Sequence, residues 1–253
     1  MGRLPYIGSG NITVVRIFSQ DMKLKTIEKA DDIHLTFKKY REATKFKFRG
    51  QSVSEWKLIP KAGRNPYLKS EDSEMFRHWK RRGHNYLQAQ GLTDIEYLVA
   101  AQHTGLPTRL LDWSHNPLIA AFFATSENFD KDGSIWVAKP KGNLFKQSTN
   151  PFQLPVSKIQ FYQPTSPINR AINQFSYFSI HNPPSLELTE NNTELECELD
   201  QIIIPKEIKK EVQFILNHYG INYLTIYPDL EGLSKHISWF AENFEYWDNI
   251  IED

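Results

Sequence analysis

The chain has 253 residues, 40% of them hydrophobic, and its 30 lysines and arginines balance 30 aspartates and glutamates for a formal charge of zero. That balance gives bulk electrostatics no pull on nucleic acid or an anionic membrane, and the single cysteine, Cys197, excludes an internal disulfide and a cysteine-rich zinc site. No apolar run approaches the roughly 18 residues of a membrane span and the N-terminal stretch is too short for a signal peptide, so the expectation is a soluble, cytoplasmic protein with no membrane partner.

Residues 11–18, NITVVRIF, alternate weakly and predict a short strand or an extended arm. Over residues 26–43, Ile27, Ile33, Phe37 and Tyr40 recur at helical spacing among charges, which predicts one amphipathic helix or two short ones. KFKFRGQ then switches to strand period and breaks at Gly50. An irregular stretch with two prolines follows, then a helix over SEDSEMFRHWKRRGHNYL that Ser70 or Asp72 can cap. The next helix starts at Thr93 or Asp94, because Thr93 and Glu96 form a capping-box pair, and stops at Gly105.

Asn116-Pro117 has the chemistry of a helix start, and LIAAFFATSENF is apolar nearly all round, so that helix is expected to be buried. GSIWVAKPKG reads as a strand, FQLPVSKIQFYQPTSP as loop with extended pieces, AINQFSYFSIH as a strand after a turn, and ELECELDQIIIP contains a β-branched run. KEIKKEVQFILNHYG is a helix ended by Gly220, INYLTIYPDL a last strand and turn, and residues 233–244 a closing helix. These elements define an α+β fold: a single compact domain with a mixed or antiparallel sheet flanked by helices, over residues 31–253, preceded by an extension over residues 1–30.

Chemistry concentrates in two places. Arg49 sits between Phe48 and Gly50 on the strand face opposite the phenylalanines; its guanidinium is a fork suited to carboxylate or phosphate, and Gly50 lets a ligand or another backbone come close. The second place is residues 101–124, AQHTGLPTRLLDWSHNPLIAAFFA, where His103, Thr108, Arg109, Asp112 and Ser114 lie among apolar residues. A buried charge needs a partner, and Arg109 with Asp112 is the local pair that would pin the turn. The C-terminal end of the preceding helix should raise the pKa of His103. His103, Thr108 and Ser114 are then the members left to face a ligand.

No GxSxG elbow supports a Ser-His-Asp triad, no HExxH or thiol cluster supports a metal, and no P-loop or GxGxxG supports a glycine-loop nucleotide site. RHWKRRGH, residues 77–84, is the one basic cluster, suited to phosphate or to solvent.

FRGQ at residues 48–51, W-x-L-x-P at residues 56–60 with Arg64, and QHTGLPTRLLDWSHNPLIAAFFA together resemble the FRG domain, a family with members in bacteria and their mobile elements. RAINQFSYFSIH and GINYLTIYPDLEGL are similar to that family's later landmarks. A second resemblance is to the ADP-ribosyltransferase fold, on the order Arg49-Gly50, Ser114 ahead of Ala120 to Phe123, and then IWVAKPKG.

That resemblance implies NAD as substrate, with no metal, and transfer of ADP-ribose to a protein or nucleic-acid target by a toxin or antiphage effector. It implies Arg49, Ser114 and Gln174 as catalytic residues, and Arg49, Gly50, His103, Thr108 and Trp113 as the NAD-binding set, with Trp113 or Phe178 stacking on a ring. Where a Glu-x-Glu or Gln-x-Glu would stand, the chain has Gln174-Phe175-Ser176, with Glu187 and Glu196 further along. The competing expectation is a non-catalytic recognition module in which Arg49, Arg77, Arg81 and Arg82 meet phosphates of a nucleic acid, or a partner protein, and binding falls steeply with salt.

Overall fold

The alternation around Phe48 becomes the centre of a seven-stranded sheet in the computed structural model, which describes residues 23–41, 45–87, 91–164, 176–189 and 197–243. In chain order the elements are β1 (Lys23–Thr26), α1 (Ile33–Phe37), β2 (Lys47–Gln51), α2 (Asp72–Gly83), α3 (Asp94–His103), β3 (Leu110–Ser114) and α4 (Pro117–Thr125). There follow β4 (Gly133–Pro140), β5 (Lys158–Tyr162), β6 (Ser176–Asn182), β7 (Cys197–Ile204), α5 (Lys209–His218), α6 (Tyr223–Ile226) and α7 (Leu230–Glu242). The strand order is β1-β7-β4-β2-β3-β6-β5, with β1 parallel to β7 and the other pairs antiparallel. The fold is α+β with a mixed sheet, and residues 23–26, within the expected extension, form its first edge.

Period-two alternation divides the core between the two faces. On one face, Phe48, Ile135, Val137, Ile202 and Ile204 pack with Phe37, Ala120, Ala124, Val212 and Leu216 from α1, α4 and α5. The same face of the other half of the sheet, with Leu110, Phe178, Ile180 and Tyr162, packs with Phe76 of α2 and Ile95 and Leu98 of α3. The opposite face carries Leu111, Trp113, Ala138, Phe161, Tyr177 and Leu199, covered by Leu58, Leu186 and Leu188. A backbone hydrogen bond from Leu188 N–H to Leu58 O (3.1 Å) ties the two covering segments together.

Local chemistry explains several helix starts. Thr93 and Glu96 close the capping box of α3, and Asn116 Oδ1 accepts from Leu118 N–H (2.9 Å) with Pro117 at the first helical position of α4. The predicted final strand is a correction: residues 223–226 are helical. Asn222 Oδ1 accepts from Thr225 N–H (3.1 Å), and Thr225 Oγ1 accepts from Asn222 N–H (3.0 Å), so a reciprocal cap overrides the β-branched run. The closing helix begins at Leu230, capped by Asp229. The predicted arm at residues 11–18 lies outside the described residues.

Candidate functional site at a split in the sheet

The middle of the sheet is where its continuity is weakest. β2 pairs with β4 over five residues, from Lys47 opposite Ala138 to Gln51 opposite Ser134, but with β3 only through Phe48 opposite Ser114. Beyond that bridge no further ladder pair joins the two strands. On the helix-covered face the half-sheets have separate cores, while one cluster spans both halves on the opposite face; the gap in the pairing has Arg49 on one lip and Asp112 on the other.

Arg49 fills this opening. Its Nη1 donates to Asp112 O at 2.9 Å, where a backbone donor of β2 would stand in a continuous sheet, and lies 3.7 Å from Asp112 Oδ2. The side chain is 18% exposed, and its Nε is buried with no hydrogen-bond partner. Burial lowers the pKa of this guanidinium, Asp112 opposes that shift, and Arg64 adds to it, so a second positive charge is near. Arg64 is anchored by Nε donating to Ile59 O (2.7 Å), and burial lowers its pKa too.

A polar relay forms the facing lip. The Thr108 hydroxyl accepts from Leu110 N–H (3.2 Å) and donates to Gln102 Oε1; Gln102 Nε2 donates to Asp112 Oδ1 (2.6 Å). His103, next on α3, sets its ring edge-on to Phe178 at 6.3 Å between centroids. Its pKa is lowered by burial of the ring, with Asp112 acting in the other direction. This corrects the expected rise, because desolvation outweighs the helix end.

Beneath the sheet a second relay runs from Trp113 Nε1–H to Ser179 Oγ (3.1 Å), and from the Ser179 hydroxyl to His181 Nε2 (2.9 Å). His181 Nδ1–H in turn donates to Leu186 O (2.7 Å). Burial pushes the His181 pKa down to about 3, with nearby Arg49 adding to the fall, so the ring is neutral. Ser179 and His181 resemble a nucleophile and base, but both are fully buried and sealed from any substrate.

The residues predicted for the site separate accordingly. Arg49 and His103 border the opening. Thr108 is buried, and its hydroxyl is committed to the relay. Ser114 is buried at the closed end of the split, where its Oγ accepts from Asn116 N–H (3.0 Å). Gly50 serves the close approach of another backbone: a Cβ there would lie 1.9 Å from Ala120 O of α4. Trp113 and Phe178 are core residues, at 2% and 0% exposure, with no ring face open to a ligand. Gln174 and Glu196 lie outside the described residues.

The expected Arg109–Asp112 pair is also corrected. Arg109 makes a bidentate ion pair with Asp72 of α2, with Nε to Oδ2 at 2.7 Å and Nη2 to Oδ1 at 2.8 Å, and its guanidinium stacks on Phe152 at 4.5 Å. Asp112 is thereby free to meet Arg49. Sequence reading missed Gln102, although it precedes His103 in the same motif; its signal is an amide placed one position from a helix end next to buried Thr108.

On α2, Arg77 pairs with Glu74 and Lys80 with Asp94, so part of the basic cluster is already neutralised. Among the described residues no group of His, Cys, Asp and Glu is arranged to hold a metal ion, and no helix is long and apolar enough to cross a membrane.

The family model of the FRG domain matches residues 44–133, a span holding β2, the turn-rich segment, α2, α3, β3 and α4. Both lips of the split lie within the segment that matches the FRG domain. No curated protein and no solved structure matches the chain.

Proposed function

We propose that the protein binds NAD, or a related nucleotide with a pyrophosphate, in the opening between β2 and β3, and transfers ADP-ribose to a protein or nucleic acid. The observation that carries this reading is the state of Arg49. A guanidinium largely removed from water is held by one backbone carbonyl and a carboxylate at 3.7 Å, its Nε is buried without a partner, and Arg64 adds positive charge beside it. Uncompensated buried cations are costly, and an anionic ligand with several acceptor oxygens would relieve that cost. The motif order shared with ADP-ribosyltransferases supplies the choice of NAD. The same reading makes the protein an effector, a toxin or an antiphage factor.

Calorimetric titration of NAD and of ADP-ribose tests it. The wild-type chain should bind both, and Arg49→Ala should weaken binding at least about tenfold, the equivalent of one charge-assisted hydrogen bond. Absence of NAD binding, or the same affinity in Arg49→Ala, overturns the reading.

A further inference from the structure

Cleaving the bond between ribose C1′ and nicotinamide places positive charge on the sugar, and a hydroxyl acceptor must also lose its proton. Both needs are met by a carboxylate that a substrate can reach. Among the described residues, the carboxylate set against Arg49 is Asp112. Its side chain is 55% exposed, so it is open to a ligand, yet both of its oxygens are oriented. Oδ1 accepts from Gln102 Nε2 at 2.6 Å and Oδ2 faces Arg49 Nη1 at 3.7 Å. Gln102 cannot turn over without losing the Thr108 hydroxyl, which is itself fixed by Leu110 N–H. The carboxylate is thus held by a relay rooted in backbone, the kind of support that a reacting group needs and a surface ion pair does not. Glu187, the other candidate, is instead paired with Lys57 (2.9 Å).

We propose that Asp112 is a catalytic residue of this site and Gln102 its positioning residue, a proposal that rests on the reading that NAD binds at Arg49. The C1′–nitrogen bond breaks with its electron pair leaving on neutral nicotinamide, the acceptor oxygen bonds C1′, and the acceptor's proton passes to the Asp112 carboxylate. With water as acceptor the products are ADP-ribose, nicotinamide and a proton.

Release of nicotinamide from NAD in water and calorimetric NAD affinity, measured side by side, decide the matter. Asp112→Asn keeps the shape of the side chain and should lower kcat by about a hundredfold or more, while the Kd for NAD changes by less than about threefold. Gln102→Leu should lower kcat by about tenfold with Kd held, measured well below its melting temperature, a split that a merely structural role would not produce. Wild-type rates in Asp112→Asn overturn the proposal. So does a wild-type chain that binds NAD and releases no nicotinamide, which leaves the binding reading standing. Failure of the wild-type chain to bind NAD removes that reading, and the proposal with it.

Discussion

At the scale of single residues, two ion pairs drawn from one motif have opposite weights. Arg109 and Asp72 are each 7% exposed and bonded twice, whereas Asp112 is 55% exposed and 3.7 Å from Arg49. Removing one partner of a buried pair strands the other, so Asp72→Ala should cost about 3–5 kcal/mol of stability in urea denaturation. Asp112→Ala should cost clearly less, because Asp112 is half exposed and Arg49 keeps its hydrogen bond to the backbone carbonyl of residue 112. Equal losses would show that both pairs serve the fold alone. His181 offers a second test. Its folded pKa of about 3 lies below the unfolded value of 6.5, so its contribution to stability is complete above pH 6.5 and is lost as pH falls toward 3. Through that window it should contribute a slope of about 1.4 kcal/mol per pH unit, which His181→Gln removes. His103 and His115, whose pKa values burial also lowers, act in the same direction, so the slope of the variant is shallower rather than zero. Denaturation midpoints at pH 7, 6, 5 and 4 check it, and parallel curves for wild type and variant would sink the assignment.

At the scale of elements, the position of α4 on β2 depends on a missing side chain and a distant lysine. A Cβ on Gly50 would meet backbone at Ala120 and Ala124, which cannot rotate away, so Gly50→Ala should destabilise by about 1–3 kcal/mol or more through overpacking. Lys209 of α5 is buried, and its ammonium donates to Ser52 O (2.7 Å), Asn128 O (2.9 Å) and Glu127 O (3.1 Å), tying α5 to the chain leaving β2 and to the chain leaving α4. Lys209→Met leaves three carbonyls short of a donor and should lower stability by at least about 2 kcal/mol in urea titration, with an unchanged midpoint excluding the clamp. These contacts also mark the limit of what the sequence makes legible. Periodicity and caps near each helix start foretell α3, α4 and β2, because those signals are local. The partner of Arg109 lies 37 residues away and the partners of Lys209 about 80 and 157, so no spacing within one motif points to them. Sequence alone points Asp112 to Arg109, the nearest opposite charge along the chain, which is not the nearest in space. Arg49 was legible because strand alternation beside a glycine is itself a local signal, although the glycine proved to serve α4.

At the scale of the whole molecule, the segment that carries the family signature is smaller than the unit that can fold. Residues 44–133 hold β2 and β3, whose strand pairing is limited to Phe48 and Ser114, and reach no further than the first residue of β4. The long pairings of both strands go elsewhere, β2 to β4 and β3 to β6. Under the first half of the sheet, Phe48, Ala120, Ala121, Phe122 and Ala124 pack against Ile135, Val137, Ile202, Ile204, Val212 and Leu216, all of which lie beyond the segment. The Lys209 clamp lies beyond it too. A fragment of residues 44–133 would keep both lips of the split but lose the strands that hold them apart, exposing apolar surface that stability cannot spare. Expressed alone, it should show no cooperative urea transition and should bind an apolar dye, whereas the full chain unfolds cooperatively. A cooperative transition in the fragment would mean that the signature segment has a core of its own. Loss of cooperativity would show that the segment takes its structural support from flanking chain: the split needs two half-sheets, and the segment supplies only their adjoining edges.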